Sequence, residues 1–123
     1  MTKILVIDDD VMVRKTIIRL LEDGGYKVLS AEDGVRGMAI FRSEQPDLVI
    51  TDIIMPEQEG IQTIIEMRKA KPDAKIIAIS GSGSIGNIDF LRIAQLLGAS
   101  DAIAKPFDPD DLLKRVMHYL NGP

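Results

Sequence analysis

Four places in the chain set a chemically capable group directly behind an apolar run. Asp8, Asp9 and Asp10 follow Ile4–Ile7, and Asp52 follows Leu48–Ile50 after Thr51. Ser80 follows Ile76–Ile79, and Lys105 follows Ala102–Ala104. An apolar run closed by a polar group reads as a strand that delivers the group to one edge of a sheet. Carboxylates gathered at such an edge repel unless a proton or a cation intervenes. A hard divalent cation meets that need: Mg²⁺ takes oxygen ligands, typically one or two carboxylates with waters and phosphate oxygens. The acids also have a plainer use, because aspartate is a good helix cap. Capping accounts for one of the run, Asp10, and leaves Asp8 and Asp9 facing Asp52 and Lys105. Taken singly, Lys105 is a surface lysine and Ser80 a turn residue at a strand end. Taken with Asp52, they form a constellation.

Composition removes most rival chemistry. Among 123 residues there is no cysteine and a single histidine, His118. Disulfides, thiolate zinc sites, thiol nucleophiles and multi-histidine metal sites are therefore excluded. Fifteen Lys and Arg against nineteen Asp and Glu give a net charge of -4, and no three basic residues adjoin. A nucleic-acid surface is not expected, since neutralising phosphates takes clustered Lys and Arg. No apolar run approaches the roughly 20 residues of a membrane span, and no signal peptide opens the chain. The expectation is a cytoplasmic protein without membrane contact. Its length suits one domain, residues 1–123, with a core over about 3–120.

The elements that must position these groups follow from the pattern. A short apolar run followed by an amphipathic stretch occurs five times, the runs being Ile4–Ile7, Val28–Leu29, Leu48–Ile50, Ile76–Ile79 and Ala102–Ala104. Unbroken runs suit parallel strands covered on both faces. Val13, Ile17, Leu20 and Leu21 keep helical spacing, as do Leu113, Val116, Met117 and Leu120. Val35, Met38 and Ala39, then Ile61, Ile64 and Ile65, then Ile88, Leu91 and Ala94 or Gln95 mark three more helices. Gly24-Gly25 and Gly98 read as helix ends. Asp108-Pro109-Asp110-Asp111 reads as a helix start, with an acceptor at the cap, proline in the first turn and acids at the positive dipole end. Strand–helix alternation predicts an α/β fold: one flavodoxin-like (βα)5 domain, a five-stranded parallel sheet of order 2-1-3-4-5 with helices on both faces. Strands 1, 3, 4 and 5 would then be neighbours, and the acids, Ser80 and Lys105 would share one edge.

These pieces resemble the receiver domains of two-component response regulators, the CheY-like superfamily. The matching features are Asp8-Asp9 behind an apolar strand, Asp52 with Met55-Pro56 and Gly60 after it, Ser80 ending the fourth strand, and Lys105-Pro106-Phe107. The resemblance covers about residues 3–120 and implies a phosphoacceptor rather than a free-standing enzyme. It makes Asp52 the nucleophile toward a phosphohistidine on a sensor histidine kinase or histidine phosphotransfer protein. It assigns Mg²⁺ to Asp8, Asp9, Asp52 and the carbonyl of Ile54. Lys105 and the Ser80 hydroxyl would meet the phosphoryl oxygens, and the phosphorylated state would control an output domain or protein that the sequence does not identify.

Other readings compete for the same residues. Gly81-Ser82-Gly83-Ser84-Ile85-Gly86 spells the glycine spacing of a dinucleotide fingerprint between a strand and a helix. The acid expected at the end of the next strand is missing, because that strand ends in Lys105. Asp8-Asp9-Asp10 also resembles the acid motif of haloacid-dehalogenase-type phosphatases, with Asp8 as nucleophile and Asp10 as acid. Which residue carries phosphate separates the two, Asp52 or Asp8. One departure from the receiver pattern stands out: three positions before the lysine, where an aromatic residue is usual, the chain has Ala102. The glycines at 81, 83 and 86 then suggest a switch carried by the backbone of residues 80–87, ordering on phosphorylation, instead of by a turning ring.

Overall fold

Consecutive residues of a strand face opposite sides, so a strand buried on both sides needs apolar residues at every position. The chain meets that demand in three unbroken runs, Ile4–Ile7, Leu48–Ile50 and Ile76–Ile79. In the computed structural model, which describes residues 2–53, 59–80, 84–85 and 88–121, these stretches become β1 (Lys3–Ile7), β3 (Leu48–Asp52) and β4 (Ile76–Ser80). The last two are buried throughout. β2 (Lys27–Ala31) and β5 (Asp101–Ala104) are more exposed and form the edges of one sheet. Its order is β2-β1-β3-β4-β5 and every pairing is parallel. Fold class and strand order are those expected from the sequence.

Among the described residues, five helices cover the sheet: α1 (Val11–Asp23), α2 (Gly34–Glu44), α3 (Glu59–Ala70), α4 (Phe90–Leu97) and α5 (Pro109–Asn121). Alternation along the strands divides the core between two layers. Ile4, Val6, Leu48, Ile50, Ile77, Ile79 and Ile103 meet Ile17 and Leu21 of α1 and Leu112 and Val116 of α5. Leu5, Ile7, Val49, Ile76 and Ala78 meet Met38 and Phe41 of α2, Ile64 and Met67 of α3 and Ala94 of α4. Each layer removes a continuous apolar surface from water, the main favourable contribution to folding.

The helix ends follow local chemistry. The Asp10 carboxylate accepts from the backbone N–H groups of Met12 and Val13, so the third acid of the run is the α1 cap, as expected. Asp108 accepts from the Asp110 N–H and opens α5 in the same way. After α1, Gly25 takes the left-handed conformation (φ 93°), while Gly24, the cap residue itself, stays right-handed. Between β4 and α4, Ser84–Ile85 pairs antiparallel with Ile88–Asp89. Ile88 therefore lies outside α4, a correction to the helical spacing read from it. A β-branched residue suits an extended pairing, and three apolar positions cannot by themselves fix a helix start.

Candidate functional site

β1, β3, β4 and β5 end at the same edge of the sheet, and each delivers one group there. Asp8 follows β1 directly and is fully buried; its N–H still continues the ladder to the Ala31 carbonyl at 3.2 Å. Asp52 is the last residue of β3 and 4% exposed. Ser80 closes β4 and is fully buried. Lys105 comes just after β5, its N–H donating to the Ser80 carbonyl at 2.7 Å.

From that anchor the Lys105 side chain reaches back across the sheet. Its Nζ donates to Asp8 Oδ2 at 2.9 Å and to Asp52 Oδ2 at 3.0 Å. Burial alone would lower the pKa of this ammonium. The hydrogen bonds and negative charges of Asp8 and Asp52 outweigh burial and raise it above the ordinary lysine value. The lysine is thus a fixed cation between two buried carboxylates. Asp8 Oδ1 accepts from the Asp10 N–H at 2.8 Å, which fixes the rotation of the carboxyl group.

Asp9 is exposed at the mouth of the site. Asp8, Asp9 and Asp52 can each offer a carboxylate oxygen, and these oxygens lie within 4.8 Å of one another. A set of hard oxygen donors that close, two of them buried and one open to water, suits Mg²⁺, which keeps several waters when bound. Ile54, whose carbonyl belongs to the expected ligand set, lies outside the described residues, as do Met55 and Pro56. The segments 81–83 and 86–87, on which the expected backbone switch depends, also lie outside them.

Two neighbours of the site were not legible as such. Arg14, in the second turn of α1, donates from Nη1 to the Asp8 carbonyl at 2.7 Å, bringing positive charge close without occupying a carboxylate oxygen. Its spacing from Asp8 is a weak signal that only the turn of the chain makes meaningful. Beside Lys105, a largely apolar groove of about 420 Å³ runs between α1 and the start of α5, lined by Met12, Val13, Thr16, Pro106, Phe107 and Pro109. Ala102, in place of an aromatic residue, is half-buried against the core layer of α2, α3 and α4. Its carbonyl accepts from Arg115 at 3.1 Å.

The family model of the response regulator receiver domain matches residues 4–117. The chain belongs to that family. The receiver is 40% identical over 119 residues to the probable transcriptional regulator ycf27 of Porphyridium aerugineum, covering 96% of this chain and 48% of that protein. It is 35% identical to the response regulator MprA of Mycobacterium sp. (strain KMS), covering 96% of this chain and 50% of that protein. The chain thus spans about half the length of the curated relatives it matches. Among solved structures, a response regulator receiver domain protein from Clostridium thermocellum superposes with a TM-score of 0.89 at 33% identity, covering 98% of this chain and 95% of that one. A receiver is a regulatory domain, and the match favours neither the phosphatase reading centred on Asp8 nor nucleotide binding at residues 81–86. Among the described residues of the receiver, no helix is long and apolar enough to cross a membrane.

Proposed function

We propose that this receiver accepts a phosphoryl group on Asp52 from the phosphohistidine of a partner kinase or phosphotransfer protein. The observation that carries the reading is the ammonium of Lys105, held between the buried carboxylates of Asp8 and Asp52. A carboxylate oxygen of Asp52 attacks phosphorus, the P–N bond to imidazole breaks, and an acyl phosphate forms on Asp52. Lys105 offers positive charge to the transferring group, and the Ser80 hydroxyl donates to one of its oxygens. Asp8, Asp9 and Asp52, with the Ile54 carbonyl, would hold Mg²⁺, which when bound neutralises charge on the phosphoryl oxygens. The donor protein approaches over the groove beside Lys105, the apolar surface continuous with the site. A cytoplasmic location would let the receiver meet such a kinase. An output domain or protein reads the phosphorylated state; two relatives that are regulators about twice this length support that part of the reading.

The test is chemical. The protein is incubated with Mg²⁺ and a small phosphodonor such as acetyl phosphate, reduced with borohydride, and mapped by mass spectrometry. The modification is expected on Asp52 and absent from Asp52→Asn, with the circular dichroism of that variant unchanged. Phosphate on Asp8 in either protein would overturn the assignment in favour of the phosphatase chemistry.

A further inference from the structure

Gly60 is the second residue of α3, and it is not among the glycines with positive φ. Its backbone is therefore open to any residue, and its reason for being glycine is space. A Cβ built there would collide with the Asp52 carbonyl oxygen and would lie 2.6 Å from Ile53 Cα and 3.0 Å from the Asp52 carbonyl carbon. All three are main-chain atoms, so no rotamer change can relieve the contact. Gly37 makes the useful contrast. Its Cβ would also collide, but with the Ile7 side chain, its second contact being Cγ1 at 2.9 Å. That side chain can turn.

The peptide that Gly60 touches is pinned on its other sides as well. The Ile53 N–H donates to the Ile79 carbonyl at 3.0 Å, which ties it to β4. The fully buried Thr51 donates from Oγ1 to the Asp52 carbonyl at 3.1 Å. The Asp52–Ile53 peptide thus sits between the first turn of α3 and the end of β4, with the carboxylate of Asp52 3.0 Å from Lys105 Nζ. We propose that Gly60 is a positioning residue for Asp52: the missing side chain lets α3 press on the peptide that carries the nucleophile and fixes where its carboxylate stands relative to Lys105 and Asp8. The inference rests on Asp52 being the phosphoacceptor. Any side chain at 60 must part α3 from the strand end by a large fraction of an ångström. Displacements of about 1 Å at a reacting group cost on the order of 100-fold in rate.

The experiment compares Gly60→Ala with Gly37→Ala and the unsubstituted protein, using acetyl phosphate and Mg²⁺. Gly60→Ala is expected to lower the maximal phosphorylation rate by about 10- to 100-fold with the donor concentration for half-maximal rate little changed. Its Mg²⁺ affinity by titration calorimetry should fall in parallel. Gly37→Ala should keep both values, whatever its melting temperature. A folded Gly60→Ala with unaltered rate and Mg²⁺ affinity overturns the proposal. Should Gly60→Ala not fold, Thr51→Val adds no volume and removes one of the contacts that pin the same peptide. A several-fold slower phosphorylation supports the proposal, and an unaltered rate overturns it. If the unsubstituted protein is not labelled on Asp52, the phosphoacceptor reading falls by itself. The Mg²⁺ affinities of the two alanine variants still decide whether Gly60 positions Asp52.

Discussion

At the residue scale, the site is a problem in neutralising buried charge. Asp8 and Asp52 are almost wholly removed from water, and Lys105 is the cation bonded to both. Removing one member of such a buried set takes away the charge that balances the others, at a cost of about 3 kcal/mol. Lys105→Met should therefore unfold at lower urea than the unsubstituted protein in EDTA. Its gain on adding Mg²⁺ should be the larger of the two, since a cation that binds only the native state stabilises it with concentration. Equal Mg²⁺ shifts in both proteins would show that the lysine and the metal do not share these carboxylates. Asp9 presents the opposite case, exposed and with its charge facing two others. Asp9→Ala is expected to keep or raise stability in EDTA and to lose most of the Mg²⁺ response, read from paired thermal melts. The residue types were legible because polar groups standing behind apolar runs are conspicuous. The role of Gly60 was not, because clearance depends on how close a distant backbone passes, and spacing along the chain carries no such information.

At the element scale, capping chemistry was legible and turn geometry was less so. Asp10 and Asp108 announce their helices because the same short side chain must reach the N–H two residues on. The exit from α1 needed the backbone itself to decide between adjacent glycines. The docking of α5 on β5 could not be read at all, since it depends on which side chains meet. Arg115 donates to the Asp101 carboxylate at 3.0 Å and to the Ala102 carbonyl at 3.1 Å, and the Tyr119 hydroxyl donates to the Ser100 carbonyl at 3.0 Å. Burial raises the pKa of Tyr119 above the ordinary 10.0; the negative charge of Asp101 adds to this, and Arg115 opposes it. A group whose folded pKa is raised contributes stability below its unfolded pKa and loses it as pH climbs through the folded one. Carbon-13 NMR of the tyrosine ring should give a midpoint above 10.0 for Tyr119. In the same range, the stability lost on raising pH should be smaller in Tyr119→Phe. A midpoint at or below the ordinary value would contradict the packing of α5 described above.

At the scale of the whole molecule, strand order turns four local signals into one site. β2 sits at the far edge beside β1 and contributes no group, while the other strands line up their ends. Unbroken apolar runs and strand–helix alternation made the layers legible in advance. The hairpin-like pairing of Ser84–Ile85 with Ile88–Asp89 was not, since two-residue ladders leave no periodicity to read. The groove beside Lys105 gives the molecule a front. Met12 lines it and is 71% exposed. Met12→Glu should slow phosphoryl transfer from a histidine kinase active on the unsubstituted protein by about 10-fold or more, as loss of a central apolar contact does at many interfaces. Transfer from acetyl phosphate should stay at its original rate, because that donor needs no docking surface. Equal slowing with both donors would locate the defect in the acid site instead.

The hydrogen bond from the Lys105 amide to the Ser80 carbonyl, 2.7 Å long, couples two messengers. Hydroxyl and ammonium, the two groups proposed to greet the phosphoryl, hang from main chains that are tied together. A pull on either is a pull on both strand ends. If Asp52 is phosphorylated as proposed, the two strand ends would be drawn together, and β4 and β5 would carry one shared displacement.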